Sequence, residues 1–115
     1  MSAPLPVPLV PFTLLVSVTF KDTASESAFL ASMLPYAAWV AANEPNTLQY
    51  QLLKSDKPDR GIAYCIIERY ADKQRDFIDK HRGSEEFKVF REVLKVLQDE
   101  GTAVVEGESY LDVAE

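Results

Sequence analysis

The chain alternates between period-two and helical patterns of apolar residues. Phe12, Leu14, Val16, Val18 and Phe20 share one side of an extended segment, opposite Thr13, Leu15, Ser17 and Thr19, which predicts a first strand. Thr23 and Glu26 form a capping-box pattern at the start of a helix whose stripe runs Phe29, Met33, Tyr36, Val40. Pro35 removes a backbone donor midway and predicts a kink or a short break, and Asn43 and Pro45 end the helix. With Asn46 supplying a left-handed turn, Thr47 to Lys54 reads as a second strand with Leu48, Tyr50 and Leu52 on one face. A polar hairpin loop from Ser55 to Arg60 ends in Gly61 and leads into a third strand.

The third strand changes the picture. Its run Ile62, Ala63, Tyr64, Cys65, Ile66, Ile67 has no polar alternation, so both sheet faces are expected to be covered. One helical layer covers one face of so short a chain; the other is expected to meet the sheet of an identical subunit. Asp72 caps a short helix containing Phe77 and Ile78, and Ser84 caps another with the stripe Phe87, Phe90, Leu94, Leu97. His81 falls in the joint between them. Gly101 ends the last helix, and Thr102 to Val113 predicts a final strand, irregular at Gly107. The order βαββαβ is that of an α+β, ferredoxin-like plait with its second helix broken in two.

At 115 residues the chain has room for one small domain, read as a proline-rich arm over 1–11 followed by a single domain over 12–115. A net charge of -6 argues against nucleic acid or anionic membrane as partner, since phosphate recognition needs clustered positive charge. Pro4, Pro6, Pro8 and Pro11 and the absence of a basic start argue against a signal peptide. Cys65 is alone among apolar neighbours, as for a core thiol, and a cytoplasmic location is expected. The sequence shows no phosphate-binding glycine loop, no dinucleotide fingerprint and no cysteine pairs, and its one histidine is His81, so no cofactor and no metal is expected.

Three segments carry a resemblance: Glu44-Pro45-Asn46-Thr47-Leu48-Gln49-Tyr50-Gln51-Leu52, Glu68-Arg69-Tyr70-Ala71-Asp72 and His81-Arg82-Gly83-Ser84-Glu85-Glu86-Phe87. In this order they resemble the antibiotic biosynthesis monooxygenase family over about residues 12 to 112. The resemblance implies that the ferredoxin-like plait forms a dimeric α+β barrel, and that the protein is a cofactor-independent monooxygenase that oxidises a small hydrophobic phenol, quinol or anthrone with O₂. Isomerases or dehydratases using the same proton abstraction, and non-catalytic dimeric ligand-binding or stress-response proteins, are the alternatives. Haem-degrading relatives carry Trp where this chain has His81 and a ligand His where it has Arg91, so haem is disfavoured. Asn46 in place of the usual Gly, the lack of a Gly after strand one and the proline arm are further departures.

Within this frame His81 is the candidate base, with a structural histidine between two helices as the other reading. Glu68 shares a face with Ile66 and Tyr70 and would orient His81 or form an ordinary ion pair. Tyr70 completes the candidate catalytic set. Tyr50, Trp39, Phe29, Met33, Tyr36, Phe87 and Ser17 are candidate substrate contacts, each also open to a plain packing role. The two-sided third strand gives a direct expectation. Sedimentation at micromolar concentration should show a homodimer, and a compact monomer covering both sheet faces with its own chain would overturn that.

Overall fold

The computed structural model describes residues 8–113, so most of the proline-rich arm lies outside the described residues. Four antiparallel strands form one sheet in the order β2-β3-β1-β4. These are β1 (Phe12–Phe20), β2 (Thr47–Lys54), β3 (Ile62–Tyr70) and β4 (Ala103–Leu111). Helix α1 (Thr23–Asn43) joins β1 to β2, and a π-wound helix (Lys73–His81) followed by α2 (Glu85–Asp99) joins β3 to β4. This is the expected ferredoxin-like plait with its second helix divided.

Burial in β3 alternates from Tyr64 onward. Tyr64, Ile66, Glu68 and Tyr70 are buried toward the helices, and Ala63, Cys65, Ile67 and Arg69 are half-buried on the other side. The core joins Val18, Phe20 and Ile66 of the sheet to Phe29, Met33 and Val40 of α1 and to Phe90, Leu94 and Leu97 of α2. All the stripe positions named for α1 are buried, because helical spacing stacks them on one face. Across the opposite sheet face, register aligns Gln51, Ile67, Leu15 and Glu108 in one row and Leu53, Cys65, Ser17 and Glu106 in the next. Cys65 is therefore a half-buried residue of the open face and not a core thiol.

Several local expectations are corrected. Asp22, not Thr23, caps α1: its Oδ1 accepts the Ser25 N–H at 2.8 Å. Glu26 instead takes the Lys54 ammonium at 2.7 Å and the Tyr64 hydroxyl at 2.5 Å, tying the helix to the sheet. The helix runs without a break through Pro35. Asn46 does not adopt a positive φ. A register shift between Thr47 and Gln49 turns Leu48 out to solvent, separating it from Tyr50 and Leu52. Ile78 is exposed, and β4 pairs with β1 in unbroken register through Gly107.

The segment before α2 winds wider than an α-helix, and the Arg82 N–H donates to the Phe77 carbonyl, five residues back, at 2.9 Å. Gly83 makes the joint to α2 possible. A Cβ there would lie 2.3 Å from the Asp79 carbonyl oxygen, a contact only glycine avoids. Ser84 then caps α2 by accepting the Phe87 N–H at 3.1 Å. Because the clash is with backbone, Gly83→Ala is expected to lower stability by about 1–3 kcal/mol. Thermal melting checks this, and an unchanged melting temperature would show that the joint yields without cost.

Candidate active site

His81 is the last residue of the π-wound helix and is 1% exposed. Its Nδ1 lies 2.9 Å from Glu44 Oε1, and its Nε2 lies 3.0 Å from the Tyr36 hydroxyl and 3.6 Å from Glu68 Oε1. A carboxylate can only accept, so Nδ1 carries a proton toward Glu44, while the Tyr36 hydroxyl lies against the Nε2 side of the ring. The rings of Tyr36, Tyr50, Tyr70, Phe77 and Phe87 enclose the imidazole, with centroids 5.3–6.1 Å away.

Two carboxylates are buried beside this one histidine. Glu44, at the C-terminal cap of α1, also accepts the Thr47 hydroxyl at 2.8 Å. Glu68 comes from β3 and accepts the Tyr70 hydroxyl on Oε1 at 2.5 Å. Burial raises the Glu68 pKa; the Tyr70 hydrogen bond and the charge of His81 oppose the rise, and Glu44 adds to it. Burial likewise pushes the phenols of Tyr36, Tyr50 and Tyr70 upward, which keeps them protonated as donors.

Between sheet and helices lies a cavity of about 270 Å³, lined on the sheet side by Leu14, Val16, Tyr50, Ile66, Glu68 and Val105. Phe77, Arg82, Phe87, Phe90, Arg91 and Leu94 line it from the helical side. The structure thus brings Glu68, Tyr50 and Phe87 to the cavity. His81 and Tyr70 stand behind Glu68 and do not form its wall. Tyr36 and Trp39 border a different groove, of about 380 Å³, which also touches Glu85, Glu86 and Val89. Phe29 and Met33 are fully buried in the core. Ser17 is exposed on the opposite sheet face, because strand alternation sends it away from Val16 and Val18.

Sequence reasoning missed Glu44, Arg82 and Arg91 as site residues. Glu44 did carry a signal: an acid at a helix C-terminus opposes the helix dipole and calls for a compensating partner, here His81.

The fold and site together define a ferredoxin-like plait with a mostly apolar cavity and one buried carboxyl on its wall. The chain belongs to the antibiotic biosynthesis monooxygenase family, whose model matches residues 11–93. A candidate antibiotic biosynthesis monooxygenase from Caulobacter crescentus is 27% identical, with 93% of this chain and 92% of that chain covered and a TM-score of 0.70. SnoaB, a cofactor-independent oxygenase from Streptomyces nogalater, is 16% identical, with coverage of 92% and 96% and a TM-score of 0.66. A conserved protein from Methanosarcina mazei is 13% identical, with coverage of 89% and 92% and a TM-score of 0.65. The last two likenesses show the fold. No curated protein matches the sequence. Among the described residues no helix is long and apolar enough to cross a membrane.

The raised pKa of Glu68 fixes a sign. Folded Glu68 holds its proton to higher pH than the unfolded chain, whose value is the ordinary 4.5. The folded state therefore binds more protons above that pH, and stability falls as pH rises from 4.5 through the folded-state pKa. Glu68→Gln, an uncharged isostere, is expected to remove this loss. Its melting temperature should gain on the wild type as pH increases over that window, and parallel melting curves would refute the burial cost.

Proposed function

We propose that the protein is a cofactor-independent monooxygenase for a small hydrophobic phenol, quinol or anthrone, with Glu68 as the base that touches substrate. One observation carries this reading: a buried carboxyl with a raised pKa stands on the wall of a mostly apolar cavity, backed by Tyr70 and His81. Such a carboxyl is a stronger base than an exposed one, and the apolar wall withholds competing water. Proton loss to Glu68 converts the substrate to an electron-rich anion that reduces O₂ directly. One oxygen atom stays on the ring and the other leaves as water with the substrate's protons. Tyr50, the other polar side chain lining the sheet side, donates its phenol to a substrate oxygen in this reading.

His81 acts in this reading through Glu68, as a positioning residue held by Glu44 and Tyr36. The role of base, assigned to His81 on sequence grounds, moves to Glu68 because Glu68 reaches the cavity. The half-buried open face of the sheet supports a sheet-to-sheet homodimer: Cys65, Ile67 and Leu15 lie there, and among the described residues no helix covers them. A second sheet on that face would leave the Glu68 cavity, on the other side, intact.

Oxygen uptake over a panel of quinols and anthrones tests the reaction. Glu68→Gln is expected to lower turnover about 10²- to 10⁴-fold, the usual span for losing a positioned base. Wild-type activity should rise with pH through one ionisation above the ordinary glutamate value. His81→Ala should move that rise to higher pH, because the charge of His81 lowers the Glu68 pKa. Turnover without O₂ consumption would favour an isomerase or dehydratase, and ligand binding without turnover would favour a non-catalytic binder. Unchanged activity in Glu68→Gln together with its loss in His81→Ala would return the base to His81.

A further inference from the structure

The cavity wall contains two cations that the proton-abstraction chemistry does not use. On α2, Phe87, Phe90, Arg91 and Leu94 all line the cavity, with Arg91, one turn on from Phe87, at the solvent-exposed edge of the stripe, so its guanidinium stands at the cavity rim. Arg82 joins it from the joint that follows His81, its guanidinium carbon 5.7 Å from the centre of the Phe77 ring. Lys54, Arg69, Arg75, Lys88 and Lys95 each find a carboxylate. Lys21, Lys57, Arg60, Lys73 and Lys80, like Arg82 and Arg91, form no ion pair among the described residues, but those lysines and Arg60 do not line this cavity. Among the described residues Arg82 and Arg91 form no ion pair, and the hydrogen bond of Arg91 goes to the neutral Gln98 at 2.8 Å. The facing carboxyl, Glu68, belongs to the sheet wall, whereas both arginines belong to the helical wall.

We propose that the cavity selects an aromatic substrate carrying a carboxylate, which Arg82 and Arg91 hold while the ring lies among the apolar residues near Glu68. The planar guanidinium fork suits a carboxylate, and two unpaired guanidinium groups on one wall offer it more donors than an uncharged ring oxygen could use. Charge also sets orientation: a carboxylate is repelled by Glu68 and drawn to the opposite wall, so the ring hydroxyl is left toward the base. The inference rests on the same cavity as the oxygenase reading and names the substrate class for it, but binding tests it independently of turnover.

The experiment is calorimetric titration of the full chain with two matched pairs: 2,5-dihydroxybenzoate and 1,4-dihydroxy-2-naphthoate, each against its methyl ester. Wild-type protein is expected to bind the acids about 10- to 100-fold more tightly than the esters, the span for charge-assisted hydrogen bonds. Arg82→Gln and Arg91→Gln should each weaken acid binding while changing ester binding by less than about twofold. The double variant should abolish the preference. Arg→Lys at either position, which keeps the charge and loses the fork, should retain part of it. Equal Kd values for acid and ester, no binding of either acid at millimolar concentration, or equal weakening of both by the Gln variants would overturn the inference. Oxygen uptake on the same samples separates the two readings. A charge-selective site without O₂ consumption removes the oxygenase and leaves the carboxylate site. Uptake with acid and ester alike, unaffected by the arginine variants, does the reverse.

Discussion

The hydrogen bond between His81 Nδ1 and Glu44, with both side chains 1% exposed, is the interaction on which the arrangement of the site depends. Glu44 caps the C-terminus of α1, Glu68 lies on β3, and His81, the last residue of the π-wound helix, stands between the two carboxyls, 2.9 Å from one and 3.6 Å from the other. Removing one partner from a buried pair leaves an uncompensated group at a cost of about 3–5 kcal/mol, more than most single contacts contribute. The three elements are therefore held in one register by polar groups that tolerate no other arrangement. Among the described residues no buried side-chain nitrogen or oxygen lacks a partner, as a stable polar cluster requires.

This link explains why a buried acid can stand at a cavity wall without unfolding it. Glu68 is not paired outright: His81 Nε2 is 3.6 Å away, and Tyr70 supplies the short hydrogen bond. One side of the carboxyl is thus held by protein, and the other faces the cavity. A direct, tighter ion pair with His81 would depress its pKa and make it a poor base; complete isolation would keep it protonated. In the proposed reading with Glu68 as base, the 3.6 Å separation from His81 keeps the carboxyl between those limits.

Much of the fold was legible in the sequence because strand and helix periods differ clearly. The bounds of β1 and β2 and the α1 stripe follow from apolar spacing alone. What the pattern could not carry were departures of one residue. Asp22 caps where Thr23 was expected, and the register shift ahead of Gln49 turns Leu48 outward. Both depend on backbone geometry that neighbouring residue types permit but do not dictate. The site was legible in its motifs and less so in its roles. His81, Glu68, Tyr70 and Tyr36 do converge, but which of them reaches open space depends on how the π-wound helix rotates His81 inward. Phe29 and Met33 have the same apolar character as the cavity residues, and sequence has no means to tell a filled layer from a lined one.

The two faces of the sheet divide the protein's tasks in a way that period two makes possible. Inward residues of β3 run Tyr64, Ile66, Glu68, Tyr70, so the strand passes from core to site while keeping one face. The alternate residues Ala63, Cys65, Ile67 and Arg69 stay half-buried on the open side, and Arg69 is held there by Thr13 and Asp112. A shift of one residue in the pairing of β1 with β3 would carry Glu68 to the open face and Ile67 to the cavity. The regular register from Phe12–Tyr70 to Phe20–Ile62 is thus a condition for the site as much as for the core. At the Tyr70 end of this ladder Phe77 packs 4.9 Å from Phe12 and 5.0 Å from Tyr70, so the residue that closes the sheet against the π-wound helix also lines the cavity. Sheet register, helix joint and cavity shape are consequently coupled, and a change that loosens one is expected to reach Glu68 through the other two.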